Sequence, residues 1–557
     1  MNKIVLPSHW PNQMNFKKFI CDGVAIIPNG VAEIDDFAFS SWGNYDLETV
    51  IIPNSVTRIG KFAFRNCWGL KSIIIPNGVT EICDSAFEGC RNLTSIEIPD
   101  SVKRIGNGAF GGADLTSIVV HSSNPTFISR DNSVLDSSSK TTLVLGCKRS
   151  RIPTSVRIIG AFSFKECFDL WSIEIPSSVT EIGESAFEGC FHMKELEIPN
   201  SVTKIGDYAF KGCSGLTSIE IPNSVTEIGD YAFEGCRNLT SIEISRSVKR
   251  IGNGAFGGSG LTSIVVHSSN PSFISRDNSV LDSSSQTTLV FGCERTRIPD
   301  SVKIIGDSAF EECIGLKSIE IPGNVTEIGD SAFKGCRGLT SLEIPDSVRK
   351  IGASSFKGCF DLISFEIPSS VTEIGDSAFE GCAGLTNIEI PNSVTKIGDS
   401  AFKGCRNLTS IEIPNSVTKI GDSVFKGCRN LTSIEIPNSV TEIGDYAFEG
   451  CSGLTSIEIP RSVTRIGSGA FNGCAGLTSI DISGSVMLGF ASFSDCNGII
   501  EVRLRSEDPD KCGDVFRRII NDTRRESVSL LTPIGTGYAY RHSCFFSGLK
   551  EIKPILK

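Results

Sequence analysis

Leu216 to Asn238 reads LTSIEIPNSVTEIGDYAFEGCRN, and edited copies of this 23-residue stretch make up most of the 557-residue chain. Self-similarity at such a period is the signature of a solenoid, in which each copy forms one turn and covers its neighbours. Within the copy, Leu216, Ile219 and Ile221 set an L-x-x-I-x-I frame. Side chains alternate along a strand, so Ile219 and Ile221 point inward while Ser218 and Glu220 point out. Pro222 lacks the N–H that a ladder needs and ends the strand. Val225 and Ile228 return to the core, and Gly229 permits the next tight bend. Asp230 is placed to cap a short helical turn that carries Ala232, Phe233 and Cys236 inward. The expected fold is an α/β repeat solenoid. Short parallel β-strands line a concave face, with short turns, helices and strands on the convex face.

The phenylalanine of the copy marks the rungs. It falls at Phe64, Phe87 and Phe110, then from Phe164 to Phe256, then from Phe310 to Phe471, with a shorter last step to Phe493. The steps Phe110–Phe164 and Phe256–Phe310 span 54 residues each and hold nearly the same insert, beginning HSSNPTFISRDNSVLDSSSK at His121 and HSSNPSFISRDNSVLDSSSQ at His267. Each insert reads as an extra rung with a hairpin over positions such as Asp136 to Lys140. The domain plan is an N-terminal cap over 1–46 that includes an irregular rung from Ile26 to Phe39. A repeat solenoid over 47–496 follows, with inserts at about 121–153 and 267–299, then a C-terminal cap over 497–557. In that cap a helix is predicted over Asp508–Asp522, a strand at VSLLTP, and a final helix in the tail that begins GTGYAYRHSCFFSGL.

A net charge of −11 and a pI near 5.2 argue against a nucleic-acid partner, which needs a basic face. No apolar run reaches the roughly 18 residues of a membrane span. The N-terminus MNKIVLPSHWPNQMNFKKF lacks the basic-then-apolar order of a signal peptide, so the chain as written is expected in the cytoplasm. Of 21 cysteines, 15 occupy one repeat position, three residues after the phenylalanine, from Cys67 to Cys496. They are expected to be buried thiols acting as small hydrophobes in a reducing compartment. No CxxC pair or Cys/His cluster points to zinc, and no cofactor is expected.

The IPNSVTEIGDYAFEGC-type repeats over about 26–496, the NPTFISRDNSV…TTLVLGC insert and the LLTPIGTGYAY…FFSGLKEI tail resemble the BspA-like leucine-rich repeat family. The resemblance implies a leucine-rich repeat solenoid and a non-enzymatic bacterial surface or secreted protein that attaches to host or partner molecules. One departure is that Ser224 stands where leucine-rich repeats usually place an Asn that ladders to backbone, so the corner is held differently here.

The outward strand position holds Glu220 and its equivalents Glu97, Glu174, Glu197, Glu243, Glu320, Glu343, Glu366, Glu389, Glu412, Glu435 and Glu458, with Asp481 closing the series. Stacking puts these carboxylates about 4.8 Å apart in one file, a track for a basic ligand or for divalent cations. The plain alternative is a solubilising charge copied with the repeat. The file is interrupted at Val119 and Val265, where the inserts begin. Their side chains His121, Phe127, Arg130, His267, Phe273 and Arg276 are the other candidate contacts, and two inserts roughly 30 Å apart by rung spacing could grip a repetitive ligand. The five histidines, His9, His121, His192, His267 and His542, lie beside no recurring nucleophile, and no phosphate loop is present, so no enzyme is expected. The leading reading is a monomeric scaffold that binds a protein through its concave face and inserts. A BspA-like adhesin and a cation-binding spacer are the alternatives.

Overall fold

The computed structural model describes residues 22–40, 45–482, 486–511, 519, 527–543, 546 and 549–555. Its contacts fall into two units, Met1–Ile274 and Ser275–Lys557. Most rungs contribute two short strands, and those at 171–176, 194–199, 217–222 and 317–322 lack the first. In the first unit Val24–Ile26, Thr49–Ile51 and Ser72–Ile73 pair parallel and in register, as do Ser95–Ile98 with Ser117–Val120 and Ser241–Ile244 with Ser263–Val266. A second file of two-residue strands runs beside it, for example Glu181–Ile182, Lys204–Ile205 and Glu227–Ile228. The second unit repeats the plan, with Ser364–Glu366 on Asn387–Glu389 and Lys350–Ile351 on Glu373–Ile374.

The third side of each rung is not helical, which corrects the α/β expectation. The fold is an all-β repeat solenoid, and the described repeats contain no helix. From Asp230 to Cys236 the backbone makes successive turns, with Tyr231 and Gly235 in the left-handed region at φ 56° and 73°. A helix needs every N–H directed to the residue four back. Here N–H groups alternate between two other destinations. Tyr231, Phe233 and Gly235 donate to the carbonyls of Asn253, Ala255 and Gly257 one rung on, while Glu234 and Cys236 donate three residues back to Tyr231 and Phe233. Asp230 caps nothing. Its Oδ1 accepts from the Asn253 N–H at 3.1 Å and from Arg250 at 2.8 Å, and Asp207 likewise accepts from the Asp230 N–H at 2.8 Å.

Phenylalanine rings stack through the core, with centroids 5.1 Å apart for Phe64–Phe87 in the first unit and for Phe310–Phe333 in the second. The cysteines do more than fill space. Most thiols at the repeat position donate to the phenylalanine carbonyl of the preceding rung, as in Cys236 to Phe210 at 3.3 Å, Cys336 to Phe310 at 3.0 Å and Cys382 to Phe356 at 3.1 Å, whereas Cys313, which follows an insert, reaches Gly292 O at 3.9 Å. Such a bond is weak, and it is the second on each carbonyl, which also accepts a backbone N–H of its own rung, as Phe210 O does from Cys213 at 3.1 Å. This thiol ladder and the aspartate ladder hold the corners. The serine position contributes in some rungs only: Ser439 donates to Val417 O at 2.7 Å, whereas Ser224 Oγ finds no partner. All 18 described cysteines are free, and burial pushes the Cys213 and Cys382 thiols up to about 12.

Charges in two further files neutralise themselves between rungs. In the second strand file Arg250 meets Glu227 at 2.8 Å and Lys350 meets Glu327 at 2.7 Å. On the turn side, Lys211 meets Glu234 at 2.7 Å and Lys426 meets Glu449 at 2.6 Å. Glu380 lies between two ammonium groups, Lys357 at 2.8 Å and Lys403 at 2.9 Å. Burial alone would raise its carboxyl, but the two lysines bring it down to about 2.

The first insert is a three-stranded antiparallel meander of Phe127–Arg130, Ser133–Asp136 and Thr142–Leu145. The hairpin at Asp136–Lys140 is present, held by Asp136 Oδ1 on the Ser139 N–H at 2.8 Å. A second turn at Asp131-Asn132, with φ 49° and 59°, precedes it. Buried Asn124 ties the insert to the rung before, donating to Val102 O at 3.0 Å and accepting from the Phe127 N–H at 2.8 Å. Gly146 fits over the Phe164 ring, where an added Cβ would lie 2.0 Å from Cε1. The third strand then starts the next run of second-file strands, pairing parallel with Ile158–Ile159.

At the C-terminus, Ser529–Thr532 forms the expected strand and Gly537–His542 a six-residue helix. Of the helix predicted over 508–522, Pro509–Lys511 make one 3-10 turn, and most of the remainder lies outside the described residues. A further strand, Glu551–Pro554, closes the sheet. Tyr540 is fully buried and donates its hydroxyl to Ser506 O at 2.8 Å.

Two outcomes follow from the core. Cys382→Ala should lower stability by about 1–2 kcal/mol, from a small cavity and the loss of one weak hydrogen bond, measured as a lower urea midpoint. The thiol ladder should also ignore Ellman's reagent in the native chain and react in guanidinium. For Glu380, a carboxyl depressed in the fold contributes stability above its unfolded pKa and loses it as pH falls through the folded one. Between the ordinary value of 4.5 and about 2, the native chain should therefore lose stability more steeply than Glu380→Gln in acid melts.

Candidate functional site

The first strand file presents one outward position per rung, and register aligns those positions across neighbours. In the second unit Glu366 pairs with Glu389, Glu412 with Glu435, and Glu458 with Asp481. The flanking Phe365 and Ile388 are buried and the glutamates exposed, because the pleat alternates sides at each residue. This face is a trough of about 710 Å³ over Ser341–Glu389 that continues as about 610 Å³ over Asn387–Glu435.

None of Glu320, Glu343, Glu366, Glu389, Glu412 and Glu435 has an ion-pair partner among the described residues. They therefore differ from the files elsewhere on the same rungs that mix lysine with glutamate. The run ends at a basic clamp. Arg505 reaches Asp481 at 2.6 and 2.8 Å and Glu458 at 2.6 Å, and Arg503 follows Asp481 in register.

In the first unit Glu174, Glu197, Glu220 and Glu243 occupy the same position and are exposed. Ser218 and Glu220 lie where residues 217–221 form no strand, yet burial still alternates about Ile219. The first rungs differ in kind. Ile26, Ile51 and Ile74 stand at the glutamate position, 60%, 50% and 81% exposed, ahead of Glu97 and Val119, which pair in register. This apolar strip was not anticipated from the sequence. Its signal was present, since each isoleucine lies two residues before a proline, as Glu220 does before Pro222. Val119 and Val265 interrupt the glutamates as expected, at 49% and 50% exposure.

The insert candidates divide. Phe127 and Phe273 are 6% and 8% exposed and anchor their hairpins in the core, so they are not available to a ligand. Arg130 and Arg276 are exposed, the latter donating to Gln286 at 2.9 Å. His121 and His267 use Nδ1 to accept the N–H of Ser123 at 3.3 Å and Ser269 at 3.1 Å, which shapes the loop. Among the described residues no group of three His, Cys, Asp or Glu converges to hold a metal ion, and no helix is long and apolar enough to cross a membrane.

The model of the BspA-type leucine-rich repeat region, six copies long, matches residues 16–139, 149–281, 291–409 and 395–509. No curated protein matches the chain. Among solved structures, a leucine-rich repeat protein from Bacteroides ovatus is 29% identical, covering 73% of this chain and 90% of its own, at a TM-score of 0.45. One from Eubacterium ventriosum is 22% identical over 77% and 91%, at 0.40. A leucine-rich cell surface protein from Faecalibacterium prausnitzii is 26% identical over 74% and 87%, at 0.35. With family matches spanning nearly the whole run of rungs, the chain belongs to the BspA-type leucine-rich repeat family.

Proposed function

We propose that this chain is a non-enzymatic binding scaffold that captures a protein partner by a basic segment laid along the first strand face of the second unit. The observation that carries this reading is the contrast between files. Stacking brings equivalent side chains about 4.8 Å apart, so a file of one sign repels itself by a few tenths to about 1 kcal/mol per neighbouring pair. The two files that mix lysine or arginine with glutamate relieve that cost by pairing opposite charges across rungs, and the aspartate ladder uses its carboxylates on backbone N–H groups. The Glu343–Glu435 run keeps the repulsion, with carboxylates exposed and unpaired on a trough. In the first unit, Ile26, Ile51 and Ile74 offer an apolar contact area of their own.

Attachment to host or partner molecules, which family membership implies, is the same capture with a particular ligand. The cation-binding reading gains nothing from the described residues, which gather no metal-holding cluster.

The test is a Lys-rich synthetic peptide titrated against the native chain and against a triple variant, Glu343→Lys, Glu366→Lys and Glu389→Lys. Exposed charge pairs contribute about 0.2–1 kcal/mol each, so the variant should bind at least about tenfold more weakly. Native binding should also weaken with salt, with circular dichroism unchanged. Equal affinity for both chains would refute the reading.

A further inference from the structure

In the first unit one hollow has a lining unlike the acidic trough. It lies at the corner after the cysteines and encloses about 580 Å³. Its wall exists because one rung departs from the repeat. Phe191-His192 stands where a later rung has Arg237-Asn238, and Trp171 occupies a position that most rungs give to Thr. Rung stacking sets these rings parallel. Trp171 lies 4.9 Å from His192 at 10°, and Phe191 lies 5.3 Å from Phe168 at 13°. Asp169 Oδ1 is 3.3 Å from His192 Nδ1 and fixes that ring. Trp171 is nonetheless 53% exposed and Phe191 44%.

The floor is bare. Gly212 and Gly235 hold φ at 73°, a region that favours glycine, so no side chain rises into the space below the rings. The far lip carries Arg237 and Asn238, and Lys194 stands 5.4 Å from the Trp171 ring centre. Among the described residues neither Lys194 nor Arg237 has a carboxylate partner, although the chain carries a net charge of −11. The neighbouring notch beside Asp114 differs, since its Lys148 is already paired with Asp114 and Asp169. The hollow therefore combines exposed aromatic faces, two unpaired cations, polar rim groups and no lining carboxylate.

We propose that this hollow binds a carboxylated pyranose. The C–H face of the sugar lies on the aromatic wall, where its weakly positive hydrogens meet the negative face of the rings. The carboxylate pairs with Lys194 and Arg237, a charge-assisted contact that discriminates acid from neutral sugar. Ser214 and Asn238 hydrogen-bond ring hydroxyls, and the volume suits a small ligand. An acidic peptide would use the same cations but would not need the flat aromatic wall.

The experiment is ligand-observed saturation-transfer NMR with glucuronate, glucose and a poly-glutamate peptide as separate probes. Glucuronate should bind at least about tenfold more tightly than glucose, since one charge-assisted contact contributes about 1.5–3 kcal/mol. Trp171→Ala should abolish glucuronate binding, and Lys194→Ala with Arg237→Ala should reduce it to the glucose level. These side chains are exposed, and circular dichroism melts confirm that each variant is folded. The double variant gives an independent readout if Trp171→Ala melts early. Absence of glucuronate binding, equal binding of both sugars, binding indifferent to Trp171→Ala, or capture of poly-glutamate alone would each overturn the proposal.

Discussion

On the turn side of a regular rung, three N–H groups are satisfied only by the rung that follows. Tyr231, Phe233 and Gly235 have no acceptor within their own copy and bond Asn253, Ala255 and Gly257 instead. The thiols reverse the direction, Cys236 reaching back to the Phe210 carbonyl. A single copy would leave several buried polar groups unmet, each costing about 1–3 kcal/mol. One rung therefore cannot fold alone, and order is a property of the stack. The left-handed residues, the aspartate ladder and the phenylalanine column are all consequences of aligning backbone with backbone at one rung per step.

That alignment also sets the electrostatics. Any charge at a fixed repeat position is placed beside its own copies. Two files answer by mixing signs, as in Arg250 on Glu227 and in Glu380 between two lysines. The strand-face glutamates do not alternate, and their run ends only where Arg505 clamps Glu458 and Asp481. That face retains a repulsion which the mixed files relieve, and the proposed capture of a basic segment rests on it.

Departures from the repeat localise the rest of the chemistry. Isoleucine replaces glutamate at Ile26, Ile51 and Ile74, and aromatic residues replace small or polar ones around Trp171. The inserts, by contrast, turn their most conspicuous side chains inward. Phe127 and Asn124 bind the meander to the rung before it, and Gly146 makes room for Phe164.

The period, the strand frame, the inward set Leu216, Ile219, Ile221, Phe233 and Cys236, and the family were legible in the sequence. They depend on spacing, and alternation along an extended chain is a local rule. The outward placement of Ser218 and Glu220 was legible for the same reason. The helix expected after Asp230 was not, because its replacement depends on acceptors 22 residues away, as in Tyr231 to Asn253, and local propensity contains no term for them. Thiol donation was hidden likewise: Cys236 looks like a small hydrophobe until the Phe210 carbonyl is placed above it. The tertiary structure alone decided which carboxylates are neutralised, that Phe127 and Phe273 are core, and that Trp171, Lys194 and Arg237 border one hollow. These are relations between rungs, fixed by the stacking of one turn on the next and not by the order of residues within a turn.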